Sequence, residues 1–183
     1  TSLDFSNNAA LKALMCYENA LISLDVSKNS SLEILNCASY RGGTNYLTSL
    51  DVSNNTALTE LSCDYNLLTS LDVSNNTDLE QLSCRGNQLT SLDLSNNTLL
   101  QVLYIEDMPT LNHVCVWSIP FPPDNVLVGT TDSPNVYFTT DCKYIDNVFI
   151  PDTAFLHALI DEGIDANGDS LISYAEAEAI TSL

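Results

Sequence analysis

The sequence predicts a mainly β solenoid built from short parallel strands, and three observations predict it. First, Leu50-Asp-Val-Ser-Asn-Asn-Thr returns unchanged at Leu71 and with one Val-to-Leu change at Leu92, a step of 21 residues each time. A fixed period near 20 marks a chain that stacks one supersecondary unit on the next. Second, each period holds two versions of one half-motif, Leu58-x-x-Leu61-x-Cys63-x-x-Asn66 and Leu68-x-x-Leu71-x-Val73-x-x-Asn76. Leu-x-Cys and Leu-x-Val alternate with a period of two, so these pairs point inward from short strands. Third, each half-motif closes on Asn, whose amide can bond backbone groups that a turn leaves unpaired. Turns stacked about 4.8 Å apart form parallel ladders, and their apolar faces bury repeats that could not fold alone.

The register extends upstream to Leu3-Asp-Phe-Ser-Asn-Asn and Leu24-Asp-Val-Ser-Lys-Asn, with Leu14-Met-Cys16 and Leu35-Asn-Cys37 between and after them. Leu24 to Leu50 is 26 residues, so five have been inserted, and alignment assigns them to Tyr40-Arg41-Gly-Gly-Thr44. The turn that opens at Leu100 is degenerate. Ile105 takes the Cys place and Met108 the Asn place, as a terminal repeat should. The solenoid is therefore placed at residues 1–112, about five turns.

Residues 113–145 are rich in Pro and aromatics, around Trp117 and Phe121 and then Tyr137 and Phe138. A solenoid end exposes apolar core and strand edges, so this segment reads as a cap with Trp117 as its anchor. Cys115 and Cys142 flank it. A disulfide between them would stabilise by about 3 kcal/mol in the chain-entropy model and would suit an extracytoplasmic setting. Cys16, Cys37, Cys63 and Cys84 are a separate class, small buried thiols sharing one inward column. They lack Cys-x-x-Cys spacing and an accompanying His, which argues against a zinc site.

Residues 146–183 change character. Asp152 is a candidate N-cap of a helix through Ile160, with Gly163 as its stop, and a second short helix is expected over residues 174–180. Between them lies Asp165-Ala-Asn167-Gly-Asp169-Ser170-Leu171-Ile172-Ser173-Tyr-Ala-Glu176.

The first 112 residues resemble the leucine-rich repeat proteins, in the nested bacterial variety found in Bacteroides-like surface proteins. The resemblance implies a curved or gently twisted parallel solenoid used for binding, and it says little about the ligand. The stretch from Asp165 resembles an EF-hand calcium loop. That likeness implies calcium held by Asp165, Asn167, Asp169, the Leu171 carbonyl, Ser173 and a bidentate Glu176, with Ile172 in the apolar place. It departs from the pattern at Ser170, where the sixth position is normally Gly at a sharp turn. A non-Gly residue in a left-handed conformation costs roughly 1 kcal/mol, so weaker binding in a structural role is expected. The chain ends Ile180-Thr-Ser-Leu183 and opens Thr1-Ser-Leu3. The second helix thus reads as a lead into a further repeat block of a longer parent.

A net charge of −19 across 183 residues argues against nucleic acid and anionic lipid, whose phosphates need Lys and Arg. No apolar run approaches the roughly 18 residues of a membrane helix. Catalysis lacks a constellation, because His113 and His157 stand apart and neither a metal-binding His pair nor a phosphate-cradling glycine loop appears.

Two outward columns remain for a ligand. Asp4, Asp25, Asp51, Asp72 and Asp93 form a monotonous one. It reads as carboxylates bonding neighbouring Ser and backbone, with a cation-binding ladder as the alternative. Asn54, Asn75 and Asn96 match glycosylation triplets but are read as turn asparagines. The Leu-x-Cys face varies, with Met15, Tyr17, Asn36, Ala38, Ser62, Asp64, Ser83, Arg85, Tyr104 and Glu106 pointing outward, and Tyr40, Arg41, Tyr46 and Tyr65 beside them. Structural columns repeat and recognition surfaces vary, so a protein or glycan partner is placed here, with Tyr and Arg as anchors. The predicted function is a non-catalytic, extracellular or cell-surface recognition or adhesion module with a calcium-stabilised linker. The alternatives are a structural spacer in a multi-block surface protein and a glycan-binding module.

Overall fold

A computed structural model describes residues 3–40, 45–142, 153–165 and 172. The chain divides into two compact units, Thr1–Thr140 and Asp141–Leu183. The first is a parallel β-solenoid. Its strands are three residues long: β1 (Ala13–Met15), β2 (Ile34–Asn36), β3 (Glu60–Ser62), β4 (Gln81–Ser83), β5 (Ser91–Asp93), β6 (Val102–Tyr104), β7 (His113–Cys115), β8 (Leu127–Gly129) and β9 (Tyr137–Thr139). One parallel sheet runs β1-β2-β3-β4-β6-β8, and a second runs β5-β7-β9.

Register in the first sheet follows the repeat. Leu14, Leu35, Leu61, Leu82, Leu103 and Val128 pair in one column. The central residue of each of these strands points inward and the two flanking residues point out, the period-two alternation of a half-buried strand. The insertion between β2 and β3 leaves the column undisturbed, because the extra residues fall after Cys37, outside the paired positions. Cys16, Cys37, Cys63, Cys84 and Ile105 form the next inward column, all at most 2% exposed. The four cysteines are free thiols, whereas Cys115 and Cys142 are both disulfide-bonded. Burial pushes the Cys16 thiol up to about 11 and those of Cys37, Cys63 and Cys84 higher still, so none is a thiolate at neutral pH.

The second half-motif differs from expectation. Leu50, Val52, Leu71 and Val73 are buried as predicted, yet they form no strand. The coils meet here through amide bonds at the residue just past the register that β5 occupies. Val52 O accepts Asn55 N at 2.9 Å and Asn76 Nδ2 at 3.2 Å, and Val26 O accepts Asn29 N and Asn55 Nδ2 in the same way. Side-chain amides join the turns here, and backbone pairing on this side begins only with β5.

The segment after Leu111 also departs from the predicted boundary. Within it, β7 to β9 continue both sheets, and Ser133 takes over the Asn place lost at Met108. The Ser133 hydroxyl donates to Ile105 O at 2.7 Å and accepts Met108 N at 2.9 Å. Trp117, Phe121 and Phe138 pack on the core edge, with ring centroids 5.2 Å apart for the first pair and 4.8 Å for the second.

In the second unit, α1 (Thr153–Asp161) ends at Gly163, whose φ is +80°. Gly163 N donates to Ile160 O and Ile164 N to Leu159 O, a Schellman closure. The calcium-loop residues Asn167, Asp169, Leu171, Ser173 and Glu176 lie outside the described residues, as does the expected second helix; Asp165 lies within them.

The two asparagine columns are not equivalent. Asn66 Oδ1 accepts Leu47 N at 3.0 Å, and its Nδ2 donates to Cys37 O and Cys63 O. Asn76 uses only its Nδ2, and its buried Oδ1 has no partner. Replacing Asn66 with Ala strands the buried Leu47 N–H, so we expect a loss of about 3 kcal/mol. For Asn76→Ala we expect about 1 kcal/mol, because Val52 O and Asn55 O keep their backbone donors. Urea unfolding followed by circular dichroism measures the difference.

Candidate functional site

Because only the central residue of each strand is inward, the outer face of the six-stranded sheet is built from residues on either side of the Leu column. They enclose a shallow basin of about 280 Å³. Ile34 and Asn36, Glu60 and Ser62, Gln81 and Ser83, and Val102 and Tyr104 line it in strand pairs, with Met15 at one end and Asp64 and Arg85 alongside. Ile34, Glu60, Gln81 and Val102 were missed by sequence reasoning. The signal was present, since they stand two residues before positions already recognised as outward.

The basin has an ordered side. The Arg85 guanidinium lies 4.0 Å from the Tyr104 ring centroid, and its Nε is 3.1 Å from Glu106 Oε2. The carboxylate lies off the direction of the buried Nε–H, so this contact is an ion pair without a hydrogen bond. Asp64 Oδ1 accepts the Ser83 hydroxyl at 2.6 Å and Arg85 N at 2.9 Å. Burial nevertheless raises the Asp64 carboxyl above the usual aspartate value; those two bonds and the Arg85 charge offset it only in part.

Tyr65 is tied down rather than displayed. Its hydroxyl donates to Asp107 Oδ2 at 2.5 Å, 42 residues and two turns along. To reach, the ring crosses Gly86, where a Cβ would lie 2.2 Å from Tyr65 Cδ1. Glu18, Tyr65, Gly86, Asp107 and Asp132 all have φ between 52° and 60°, and the first four each stand two residues after a Cys-column position. Since Glu18, Tyr65 and Asp107 hold the same φ without being glycine, it is the ring that requires glycine at residue 86. Gly129 does the same beside Arg85's partners: a Cβ there would be 2.7 Å from Glu106 Oε1 and 2.9 Å from Tyr104 Cδ1.

The remaining candidates scatter. Tyr17, Tyr40 and Tyr46 are exposed but do not line the basin, and Arg41 lies outside the described residues. In the monotonous column, Asp4, Asp25, Asp51, Asp72 and Asp93 each accept the N–H of the Ser two residues on, at 2.8–2.9 Å. For Asp25, Asp51 and Asp72 the Ser hydroxyl and then that N–H hold the carboxyl below the usual range. Where a neighbouring Asp is felt, its repulsion is the smaller effect. The asparagines that bond from coil to coil are the second of each pair. Asn55, Asn76 and Asn97 are buried and bonded, while Asn54, Asn75 and Asn96 are exposed. Asn54, Asn75 and Asn96 do lie in turns, as read from the sequence; the buried second Asn sits at the end of the Leu-x-x-Leu-x-Val-x-x-Asn spacing.

No protein-family model matches the chain, and no curated protein does. Solved structures do. The chain is similar to the functional domain of InlJ from Listeria monocytogenes, described as including a cysteine ladder. The identity is 33% and the TM-score 0.56, over 76% of this chain and 31% of that one. It also matches internalin C2 of the same species (16% identity, TM-score 0.53, 74% and 54% covered) and a leucine-rich repeat protein of Leptospira interrogans (18%, 0.56, 79% and 43%). The chain thus spans about a third to a half of each neighbour. Its fold is that of the leucine-rich repeat solenoids it matches.

Two outcomes follow from the geometry. Gly86→Ala forces the Tyr65 ring off Asp107 and places a side chain at φ +60°, for which we expect a loss of about 2–3 kcal/mol. In a Tyr65→Ala background the same change should cost only about 1 kcal/mol, and a double-mutant cycle reads the coupling. Asp64 gives a pH signature. The folded state holds its proton more tightly than the unfolded chain, so its contribution to stability falls as pH rises from near 3.8 to the raised folded value. Asp64→Asn should remove that slope in melting temperatures measured across the window.

Proposed function

We propose that this chain is a non-catalytic recognition module that binds a protein through the outer face of the six-stranded sheet. The observation that carries the reading is the basin itself. It lies on the one face whose residues change from turn to turn, and Asp64, Arg85, Tyr104 and Glu106 are held in place before any partner arrives. Pre-ordered polar groups reduce the ordering cost of association. The solved neighbours support the reading, because all are leucine-rich repeat solenoids and two are Listeria internalins. A cell-surface or secreted location fits a chain that carries disulfide-bonded cysteines. Among the described residues no helix is long and apolar enough to cross a membrane. The donor set from Asp165 to Glu176 is all oxygen, which suits a hard cation, and we assign calcium a stabilising role there.

The test is a binding panel of extracellular-matrix proteins, cell-surface proteins and polysaccharides, with calcium and then with chelator. Ser62→Arg should abolish saturable protein binding, and Asn75→Arg, outside the basin, should leave it intact. Chelator should lower the melting temperature without redirecting specificity. Silence on every protein, with a calcium-dependent melting temperature, favours the spacer; binding confined to polysaccharides favours the glycan reading.

A further inference from the structure

We infer that the basin receives a cationic side chain, Lys or Arg, carried on an extended segment of the partner protein with apolar residues on either side. The inference rests on the reading of the outer sheet face as a protein-binding surface and names the chemistry that face selects.

The charge balance inside the basin is the first ground. Three charged residues line it, Glu60, Asp64 and Arg85. Arg85 is the only cation among them, and it is already spoken for: Tyr104 covers the guanidinium and Glu106 balances its charge. Glu60 has no second cation in the lining to pair with, and Asp64 has only the partial compensation of an Arg85 shared with Glu106. Of the other polar side chains in the lining, the Ser83 hydroxyl is committed to Asp64 and Asn36 Oδ1 accepts Ala38 N, while Ser62 and Gln81 carry oxygens that can accept from an ammonium or guanidinium. An incoming anion would meet two carboxylates and a guanidinium already stacked on Tyr104 and paired with Glu106. An incoming cation would meet two carboxylates and a set of acceptors. The chain's net charge of −19 steers in the same direction.

A bare metal ion fits this arrangement poorly. Among the described residues no three metal-capable side chains converge in the basin. Two carboxylates four residues apart on one coil, Glu60 on β3 and Asp64 two residues past its end, with the Ser62 hydroxyl between them in sequence, suit a group that donates several spread hydrogen bonds.

The flanks supply the second ground. Met15 on β1 is 56% exposed and Leu127 on β8 is 57% exposed, and these strands are the two edges of the sheet. Ile34 and Val102 stand next inward, so apolar surface lies on both sides of the acidic middle. Six strands at about 4.8 Å spacing put the edges about 24 Å apart, which an extended segment of about seven residues crosses. The occupant therefore reads apolar, basic, apolar along its length.

The experiment is selection of a phage-displayed library of random 12-residue peptides on the intact chain. Enriched peptides are then synthesised and titrated by calorimetry in low and moderate salt. Peptides that compete in the basin are recognised by loss of binding to Ser62→Arg. We expect these to share a Lys or Arg between apolar residues and to bind at least tenfold more weakly to the Glu60→Gln/Asp64→Asn variant. They should also lose several-fold in affinity between 50 and 300 mM salt. Should that double variant not fold, as circular dichroism will show, Glu60→Lys serves alone. It should reject the basic peptides and accept copies in which the basic residue is replaced by Glu. Basin-directed peptides that lack a basic residue, or that ignore the loss of both carboxylates, overturn the inference and leave the binding face standing. Enriched peptides indifferent to Ser62→Arg, or no enrichment at all, overturn the binding face and the inference with it.

Discussion

From Asn29 to Asn97 the coils of this solenoid depend on asparagine amides that reach from one coil to the one before. Strands of three residues make too few backbone bonds to hold a turn, and the rest of each coil consists of bends whose N–H and C=O groups point inward. Such groups cannot be left unpaired in a dry interior. Asn45, Asn66 and Asn87 answer this on one side with both ends of the amide. Asn29, Asn55, Asn76 and Asn97 answer it on the other with the nitrogen alone, leaving four buried oxygens unpartnered. The second column is thus a compromise. Two carbonyls must be bridged there, and only a side chain carrying two donors on one short stem does so; Asp would bring a negative charge against them, and Ala would bring nothing. Ser133 shows what happens where the amide is absent: a hydroxyl bridges one carbonyl and one N–H in its place.

Once the amides fix the coils, the interior becomes a set of one-residue columns, and column chemistry follows from shape. The Leu column fills the width of the coil, and the position two residues on holds Cys in four coils and Ile105 in the next. Cysteine is small, apolar and a weak donor, which suits it to that place. The Cys63 thiol sits 3.6 Å from Ser83 O. Burial keeps these thiols protonated, so the column is chemically quiet and its role is packing.

What could be read from the sequence was whatever repeats. The 21-residue step gave the parallel sheet, the inward Leu and Cys columns and the bonding asparagines, because a solenoid imposes one structural answer on every coil. What could not be read was of two kinds. One was pairing that the motif does not distinguish: Leu50, Leu71 and Leu92 stand in the same sequence, yet only the coil of Leu92 forms a strand. The other was contact between non-equivalent positions. Tyr65 looked like an anchor for a partner because it is aromatic and breaks the pattern. Only the fold shows that it, Gly86 and Asp107 share one column, so the tyrosine has an internal partner and the glycine a reason. The aromatic rings after Trp117 were likewise legible as a packed group, but not the fact that β7 to β9 carry the ladders on through the same segment.

The same distinction decides what the outer face can recognise. Residue type alone suggested that Tyr and Arg would reach for a ligand, since those residues dominate interfaces. In the folded chain Arg85 and Tyr104 satisfy each other, and Glu106 completes the pair over a gap kept open by Gly129. A side chain with its charge matched and its aromatic face covered has little left to offer. The groups with capacity to spare are the plain ones beside them: carboxylates, amides and hydroxyls with acceptor oxygens facing the basin. The ordered cation–aromatic pair thus acts as a wall. It fixes the shape of one side of the basin, withdraws the only positive charge from its lining, and leaves an acidic floor whose complement must come from the partner.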